Sequence, residues 1–422
     1  MKALVLNRLA PVEDGPLEYR EFDDPMVGPG EVLLKVSACG VCHSNLHLVE
    51  GDLKVYGIPS MLPIVPGHEV VGRLSADAVG ADNEPLAAGS RVVLQPVLGC
   101  AARAIHPFCP ACAAGNVGNC ERVAFGHIRP GLQTGFCADT GGGWSSTGLV
   151  AHSSQLFAVP DGLSDADAVT TEPVACAVHA VLGAGIRDGD LVAVVGAGTL
   201  GLTVTAALAH LAATGRCPAP RSLLVGARYA HQLRLAREFG ATEALPPEQL
   251  ARAVRRHSHS LSYGGSSGET ATLTDGADVV IDCVGSAESI AQSLAMVRPR
   301  GTVALVGMPG KVTIDLAPLW HREVRLAGAY AYGTESVPSA VAVAAESTSA
   351  AGTTRRKKAA APPEEVATFQ LAFEVVAAQS TGRLVSATYP LTRFEEAVAH
   401  AGAAGRRGAV KIAFDITKGH TR

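Results

Sequence analysis

The stretch Leu191-Val192-Ala193-Val194-Val195-Gly196-Ala197-Gly198-Thr199-Leu200-Gly201 decides the fold of this chain. A continuous apolar run ends in the pattern G-x-G-x-x-G, and an Ala- and Leu-rich segment follows it. A buried strand, a tight glycine turn and a helix N-terminus in this order are typical of a dinucleotide-binding βαβ unit. The alternative is a glycine-rich turn that binds no ligand. The predicted dinucleotide contacts are Gly196, Gly198, Thr199, Leu200 and Gly201.

Apolar strands and helices keep alternating after this stretch. Apolar runs lie at 222–225, 278–282 and 302–306, and a helical segment lies at 230–239. Buried apolar strands that alternate with helices indicate a parallel, doubly wound sheet. The pattern therefore predicts an α/β protein.

The alternation also predicts the domain division. Residues 1–172 contain short strands broken by Gly and Pro, residues 173–327 carry the alternating pattern, and residues 328–422 are predicted to return to the first domain. Two stretches, 255–274 and 334–363, have few core-forming residues. We expect both to be mobile insertions.

The end of the second apolar strand indicates which dinucleotide binds. An NAD site usually places Asp or Glu there to hold the ribose 2′-hydroxyl. This chain has the small residue Ala227 followed by Arg228, and no carboxylate. A guanidinium suits a 2′-phosphate because it binds phosphate in a fork. The sequence therefore predicts NADP(H), with a surface arginine as the alternative.

Two short strings before this domain have the chemistry of half a catalytic metal site. They are Gly40-Val41-Cys42-His43-Ser44-Asn45-Leu46-His47 and Pro66-Gly67-His68-Glu69. Zn²⁺ favours a thiolate and an imidazole, and a catalytic zinc keeps one position open. Ser44 and His47 can pass a proton from an alcohol to water. The strings therefore predict zinc-assisted alcohol chemistry, against the alternative that Cys42 is a buried core cysteine.

These strings, a cysteine cluster, Glu172-Pro173 and the glycine turn together resemble the zinc-dependent medium-chain alcohol dehydrogenases over nearly the whole chain. The resemblance implies a GroES-like, β-rich catalytic domain into which a Rossmann domain is inserted. It implies one catalytic and one structural zinc. It also implies a homodimer, or a homotetramer, that pairs an edge strand near 302–306 across a two-fold axis.

The resemblance assigns the ligands of the catalytic zinc. Cys42 and His68 are two of them, and the third is Glu172, with Cys176 as the second choice. Glu69 either lies behind the metal or displaces another ligand. Cys39 is expected to be a core residue.

The resemblance also assigns roles to the residues that follow Cys42. Ser44 meets the substrate oxygen, His47 is the outer proton acceptor, and His43 lies against the coenzyme pyrophosphate. Asn45 departs from the family, because relatives usually have an Asp that accepts a hydrogen bond from the ligand histidine. An Asn oxygen can accept this bond without a charge, so we expect a more electrophilic zinc.

The cluster Cys109-x2-Cys112-x7-Cys120 matches the last three ligands of the family's structural zinc lobe. The first ligand is Cys100 if the loop has gained residues, or His106 if a histidine substitutes. We favour Cys100. A closed set of four ligands indicates a structural zinc, and two disulfides are the alternative.

Composition argues against several classes of partner. The 422 residues carry a formal net charge of −4 without a strongly basic pattern, which argues against nucleic-acid binding. No apolar stretch approaches the roughly 20 residues of a membrane span. The N-terminal apolar run is too short for a signal peptide. The ten cysteines lie in a long chain without an expected export signal, and most are spaced as metal ligands rather than as disulfides. They therefore predict a reduced, cytoplasmic protein.

The predicted function is a zinc-dependent oxidoreductase that transfers hydride between NADP(H) and an alcohol/carbonyl pair of small molecules. Because cells generally keep NADPH reduced, carbonyl reduction is the expected direction. Three alternatives remain at this point. They are a polyol or sugar dehydrogenase of the same family, a zinc-free reductase of the same fold, and a non-catalytic NADPH-binding protein.

Overall fold

The computed structural model describes residues 1–21, 23, 25–51, 62–264, 271–339 and 362–418. The chain divides into two compact units. The first comprises Met1–Pro173, Ala331–Gly333 and Ser380–Arg422, and the second comprises Val174–Tyr330 and Thr334–Gln379. Within the described ranges, no helix is long and apolar enough to span a membrane.

A seven-stranded sheet forms the first unit. In spatial order, six of its strands are Val385–Tyr389, Lys411–Asp415, Glu31–Val41, Val70–Leu74, Arg91–Leu94 and Leu156–Ala158. The seventh, Leu149–His152, pairs with the first residues of Glu31–Val41. The pairings are antiparallel except for the parallel pair Val385–Tyr389 and Lys411–Asp415.

Short elements complete the first unit. Its hairpins are Lys2–Leu6 with Leu17–Glu21, and Ala78–Val79 with Pro85–Leu86. Its helices are His43–Glu50, Pro110–Ala113, Asp165–Ala168 and Phe394–Gly402. Its 3-10 turns are Val12–Asp14, Val117–Asn119, Ser153–Gln155, Thr381–Leu384, Leu391–Arg393 and Gly405–Arg407. The core includes Trp144, whose ring meets Phe414 edge to face at 5.3 Å between centroids.

The second unit contains a parallel sheet of six strands. Their spatial order is Glu243–Leu245, Ser222–Gly226, Leu191–Val195, Ala277–Asp282, Val297–Leu305 and Arg325–Gly328. Numbered along the chain, this order is 3-2-1-4-5-6, which is the doubly wound order of dinucleotide-binding sheets. The predicted combination of a GroES-like domain and a Rossmann domain is confirmed.

Helices cover the strands of the second unit. They are Thr199–Ala213, Ala230–Glu238, Pro247–Ser258, Ala287–Met296, Ala317–His321 and Thr368–Gln379. A further helix, Thr171–Gly183, starts in the first unit and continues into the second. Strand Leu191–Val195 is buried on both faces, as a central parallel strand requires.

Two glycines of the G-x-G-x-x-G turn are required by the backbone. Gly196 has φ +87°, a conformation that L side chains rarely adopt. A Cβ at Gly201 would lie 1.8 Å from the carbonyl oxygen of Gly196. These glycines therefore let helix Thr199–Ala213 pack directly against the end of strand Leu191–Val195.

The predicted third segment is corrected by the contact pattern. The described residues 334–339 and 362–379 belong to the second unit, rather than returning to the first. Helix Thr368–Gln379 packs on helix Thr199–Ala213. Glu335 binds His179 Nδ1 at 2.8 Å and accepts a hydrogen bond from Thr368 at 2.7 Å, which attaches this segment to the second unit.

The two predicted insertions contain more regular structure than expected. Residues 255–258 complete a helix whose buried face includes Leu250 and Val254. Strand Ser262–Tyr263 pairs with Thr272–Leu273, and Leu273 belongs to the core of the second unit. Residues 334–337 pair with 364–367. Residues 265–270 and 340–361 lie outside the described residues.

The predicted edge strand is also corrected. Strand Val297–Leu305 covers most of 302–306, and it pairs with Ala277–Asp282 on one side and with Arg325–Gly328 on the other. The edge of the sheet on this side is therefore Arg325–Gly328, and the opposite edge is Glu243–Leu245.

Candidate metal and dinucleotide sites

The central strand of the first unit leads directly into the helix that carries the proton-transfer candidates. Cys42 lies between strand Glu31–Val41 and helix His43–Glu50 as the N-terminal capping residue. Its N–H donates to Asn45 Oδ1 at 3.1 Å, and the Asn45 N–H donates back to the Cys42 carbonyl oxygen at 3.0 Å. This reciprocal cap fixes the position of Cys42 at the end of the sheet.

Cys42, His68 and Glu69 form a compact cluster in the first unit. Their sulfur, nitrogen and oxygen atoms lie within 4.8 Å of one another. His68 and Glu69 are buried, and Cys42 is half-buried. Burial and the Glu69 charge raise the pKa of the Cys42 thiol, and Lys411 opposes them. A thiolate, an imidazole and a carboxylate at this spacing are a donor set that suits zinc.

Asn45 presents its amide nitrogen, not its oxygen, to His68. Because the Cys42 N–H can only donate, Asn45 Oδ1 faces Cys42, and Asn45 Nδ2 lies 3.3 Å from His68 Nδ1. A histidine that binds metal through Nε2 carries its proton on Nδ1. Two donors would then face each other, so the expected acceptance of the His68 proton by the Asn45 oxygen is not what the geometry provides.

Glu69 is paired with Lys411, a residue that the sequence analysis missed. Lys411 Nζ donates to the Glu69 carboxylate, and the side chains are 2% and 1% exposed, respectively. Burial by itself would lower the pKa of Lys411, but the charges of Glu69, Cys42 and Glu172 and the hydrogen bond to Glu69 together outweigh it and raise that pKa. Removing either partner of such a buried pair costs roughly 3–5 kcal/mol. Lys411 therefore stabilises the negative charge of Glu69 next to Cys42 and His68.

A glycine makes room for this ion pair. A Cβ at Gly40 would lie 1.7 Å from Glu69 Oε2 and 2.9 Å from Lys411 Cε. The sequence contained one signal for the pair. Lys411 is a single lysine inside the apolar run from Ala409 to Phe414. Its partner is far away in sequence, so only the folded sheet identifies it.

Glu172 lies close to this cluster but outside its 4.8 Å limit. Tyr332, which is 1% exposed, donates from its hydroxyl to Glu172 Oε1 at 3.1 Å. Burial raises the pKa of Glu172 to about 7, and the charge of His68 opposes this shift. Tyr332 had no sequence signal because the chain returns to the first unit there for only three residues, Ala331–Gly333.

Cys176 stands four residues after Glu172 on helix Thr171–Gly183. This spacing puts both side chains on one face of the helix. Cys176 belongs to the second unit, whereas Glu172 belongs to the first.

Ser44, His47 and His43 occupy the first helix after Cys42. Ser44 and His47 are three residues apart and therefore share one face of helix His43–Glu50. The Ser44 hydroxyl oxygen is buried and interacts with the Cys42 thiol, which favours the thiolate against the larger, pKa-raising effect of burial. A buried hydroxyl next to Cys42 fits a group that meets a substrate oxygen. His43 is exposed at the start of the helix.

Phe136 packs against His68, with the ring centroids 5.5 Å apart. Trp144, in contrast, is fully buried in the core of the first unit. Cys39 is also fully buried, as expected for a core cysteine.

The second cysteine cluster contains Cys100, Cys109, Cys112 and Cys120, and its four sulfur atoms lie within 4.8 Å of one another. His106 is exposed and stacks on Phe108, so the structure brings Cys100, and not His106, to the other three. All four thiols are free, and the sulfur atoms of Cys100 and Cys120 are 3.8 Å apart, far beyond a disulfide bond.

Backbone N–H groups point at the sulfur atoms of this cluster. Cys100 N lies 3.4 Å from Cys112 Sγ, and Cys112 N lies 3.4 Å from Cys109 Sγ. Burial raises the pKa of the Cys109 thiol, but hydrogen bonds from the N–H groups of Cys112 and Glu121 and from the Cys112 and Cys100 side chains together bring that pKa to about 7. Four buried sulfur atoms with N–H donors fit a closed, structural zinc site.

The glycine turn of the second unit is open where a pyrophosphate would approach. A Cβ at Gly198 would meet no atom within 4 Å. Gly198 is also the N-terminal capping residue of helix Thr199–Ala213, and it supplies no side-chain cap. The first turn of that helix, which includes Leu200, therefore offers N–H groups and a positive helix end to an anion.

Arg228 follows the strand that neighbours this turn. Ala227 is buried, and its N–H donates to the Leu245 carbonyl oxygen at 2.8 Å. Arg228 is exposed, and among the described residues it forms no ion pair. Its guanidinium thus remains available at the end of strand Ser222–Gly226.

We predict that Cys100→Ala removes one zinc equivalent per chain and lowers the thermal unfolding midpoint, because the four-sulfur site loses a ligand. His106→Ala is the matched control and keeps the metal content of the parent protein. Elemental analysis of the purified variants measures both. A loss of zinc from His106→Ala, with zinc retained in Cys100→Ala, would contradict the assignment.

Known proteins resemble this chain over most of its length. An L-idonate 5-dehydrogenase of Vitis vinifera is 28% identical over 319 residues, which are 75% of this chain and 77% of that protein. A sorbitol dehydrogenase of Arabidopsis thaliana is 29% identical over 75% of this chain and 78% of its own length. A structure from Sinorhizobium meliloti, described as a zinc-binding dehydrogenase bound to NADP, is 26% identical, has a TM-score of 0.68 and covers 98% of each chain.

Two family models match the two kinds of domain. The alcohol dehydrogenase GroES-like domain matches residues 28–161, and the zinc-binding dehydrogenase model matches residues 224–346. The first match contains Cys42, His68 and the four-cysteine cluster, and the second contains Arg228. The chain belongs to the zinc-dependent medium-chain dehydrogenase/reductase family.

Proposed function

We propose that the protein is a zinc-dependent oxidoreductase that transfers hydride between NADP(H) and an alcohol/carbonyl pair. The observation that carries this proposal is the buried Cys42–His68–Glu69 cluster at the start of the helix with Ser44 and His47. Metal ligands and a proton path on one short segment serve alcohol chemistry, whereas a structural metal needs no proton path.

Cys42 and His68 would hold the catalytic zinc, with Glu172 as the third ligand. Glu172 is supported by its burial and by its nearness to the charges of His68 and Cys42. Glu69 would exchange with it, or remain on Lys411 behind the metal. Cys176 is the alternative third ligand. When bound, zinc supplies Lewis acidity that makes an alcohol O–H easier to deprotonate.

Ser44 and His47 would carry the proton. As the Ser44 hydroxyl would accept the proton of the substrate oxygen, it would give up its own proton toward His47. His47 would release a proton to water, because an imidazole titrates near neutral pH. Reduction of a carbonyl uses the same groups in the opposite direction. We favour reduction in the cell, since NADPH is generally kept reduced there.

NADP(H) is the preferred cofactor in this proposal, and it supplies the hydride chemistry. The glycine turn, Thr199 and Leu200 would hold the pyrophosphate, and His43 would add a partial charge to it. Arg228 would hold the 2′-phosphate beside the small residue Ala227. The NADP bound to the Sinorhizobium meliloti protein supports this preference.

A polyol or sugar dehydrogenase is the second candidate. The curated relatives act on sorbitol and L-idonate by their names, which favours a polyhydroxylated substrate. Two buried carboxylates near the metal ligands, Glu69 and Glu172, are compatible with it. The third candidate is a non-catalytic NADPH-binding protein, and turnover in the activity screen described below would exclude it.

We also propose a cytoplasmic homodimer or homotetramer. Ten free cysteines support a reducing compartment. The unpaired edge of strand Arg325–Gly328 offers N–H and C=O groups to a second copy.

A screen of alcohols, polyols and carbonyls with NADP(H), followed by the absorbance of the reduced nicotinamide, tests the activity. We expect turnover in the parent protein and a loss of about 100-fold or more in Cys42→Ser and His68→Ala, because the Lewis acid is lost. Both variants should still bind NADPH. The turnover of Glu172→Gln should fall by a similar factor, while Cys176→Ser, the matched control, should keep the turnover of the parent protein. Full activity of Cys42→Ser would refute the zinc role.

The cofactor preference is tested at Arg228. Arg228→Gln should lower kcat/KM with NADPH by about tenfold to a hundredfold, because one charge-assisted phosphate contact is lost, and should leave kcat/KM with NADH unchanged. Arg234→Gln, a surface change on the next helix, is the control and should alter neither value. Equal efficiency of the parent protein with NADH and NADPH would end this proposal.

The unusual residue Asn45 should set the metal affinity. Asn45→Asp provides one oxygen for the Cys42 N–H and another for His68 Nδ1, so we expect zinc to bind about tenfold more tightly. The pH profile of alcohol oxidation should move to higher pH, because a more basic histidine makes the zinc less acidic. Chelator competition measures the affinity, and Asn45→Ala serves as the uncharged control. An unchanged affinity and pH profile in Asn45→Asp would contradict the expectation.

A further inference from the structure

The turn that carries Cys100 also carries a fully buried arginine. Arg103 is 0% exposed, and its backbone N–H lies 3.2 Å from the carbonyl oxygens of both Gly99 and Cys100. The backbone carbonyl of Cys100 also accepts from the Ile105 N–H at 2.9 Å, which closes the turn. Arg103 is thereby anchored next to the first member of the four-cysteine cluster.

Among the residues that the structure describes, the guanidinium of Arg103 binds only backbone carbonyl oxygens. Its acceptors are Leu98 at 3.0 Å, Phe125 at 3.0 Å, Ile128 at 3.3 Å, Arg129 at 3.4 Å, and Gly131. The first precedes Cys100 in the chain, and the other four follow Cys120. The arginine therefore joins the segment that enters the cluster to the segment that leaves it.

These two segments are in close contact. A Cβ at Gly126 would lie 2.4 Å from the carbonyl oxygen of Arg103, and the N–H of His127 donates to that oxygen at 3.4 Å. The side chain cannot swing toward water without breaking the contacts along 125–131. Its positive charge is thus fixed in the interior of the lobe.

No carboxylate pairs with this buried charge among the residues that the structure describes. A buried guanidinium without an opposite charge is unfavourable, because carbonyl dipoles replace only part of its hydration. Burial lowers the pKa of Arg103, and the side chains that oppose this shift are Cys137, Cys120 and Cys100. Two of these three belong to the four-cysteine cluster. The available counter-charge is therefore sulfur.

We propose that Arg103 is the buried counter-charge of a metal–thiolate centre formed by the four-cysteine cluster. The inference rests on the proposal that this cluster binds zinc. Four thiolates around a divalent ion leave a net negative charge in the interior, and Arg103 neutralises part of it. Arg103 is a positioning residue, since it touches no ligand atom and acts on the affinity and order of the lobe.

A second buried arginine provides a matched control. Arg322 is 5% exposed and also donates to backbone carbonyls. These acceptors are Leu273 at 2.8 Å, Val297 at 2.8 Å, Leu294 at 3.2 Å and Asp275 at 3.5 Å. It belongs to the second unit, which contains none of the four clustered cysteines. Loss of a carbonyl-bound arginine can therefore be compared with and without thiolates nearby.

The experiment uses the full chain with Cys42→Ser, so that only the lobe retains a complete ligand set. Co²⁺ is titrated against a chelator, and the thiolate-to-cobalt absorption reports the occupied lobe. Arg103→Gln keeps hydrogen-bonding capacity but loses the charge, and should weaken Co²⁺ binding about tenfold or more. Arg103→Lys keeps the charge and should remain closer to the parent than to Arg103→Gln. Arg322→Gln should bind Co²⁺ like the parent.

The outcomes separate this inference from the zinc proposal on which it depends. Absence of thiolate-to-cobalt absorption in the parent would overturn the metal site itself. Absorption in the parent with equal affinity in Arg103→Gln would overturn the role of Arg103 alone. Equally weakened Co²⁺ binding in Arg103→Lys and Arg103→Gln would overturn the role of the Arg103 charge. The hydrogen bonds that join the two segments would then account for the effect. Hydrogen exchange of residues 123–131, slowed by Co²⁺ in the parent and less so in Arg103→Gln, checks the coupling independently of activity.

Discussion

The buried ion pair between Glu69 and Lys411 is the interaction on which the first unit depends most. It joins the residue after His68 to a strand near the end of the chain, and Gly40 leaves space for both side chains. The last strand must therefore lie beside Glu31–Val41, whose end holds Cys42. Neither charge could stay buried alone, because an unpaired charge in the interior is strongly destabilising. The pair thus ties the Cys42–His68–Glu69 cluster to the pairing of strand Lys411–Asp415 with strand Glu31–Val41.

The two cysteine-containing clusters are surrounded by charge in different ways. Cys42 lies near a carboxylate and a lysine whose charges offset each other, which is compatible with the proposed exchange of a metal ligand. The four-cysteine cluster contains no carboxylate, and the partners of Arg103 beside it are, among the described residues, carbonyl oxygens. The first arrangement suits a site that changes its ligands, and the second suits one that remains closed.

The second unit meets a different constraint, which is the close packing of a helix against the end of a strand. Gly201 is required because its hydrogen faces the Gly196 carbonyl, whereas Gly198 faces open space. One glycine therefore serves the fold, and the other leaves room for the proposed pyrophosphate. This division of roles explains why a G-x-G-x-x-G pattern after an apolar strand is informative about both the fold and the ligand.

The sequence by itself determined the two domain types, the parallel sheet that follows from alternation, the glycine turn, and the clusters around Cys42 and Cys109. These features are local, since spacing and apolar runs act over a few residues. Only the tertiary structure decided that Cys100 joins the cluster while His106 faces solvent, that residues 334–339 and 362–379 belong to the second unit, and that Asn45 turns its nitrogen to His68. It also identified Lys411, Tyr332 and Arg103. Their partners lie far along the chain or on the backbone, and contacts of that kind leave no pattern in a single sequence.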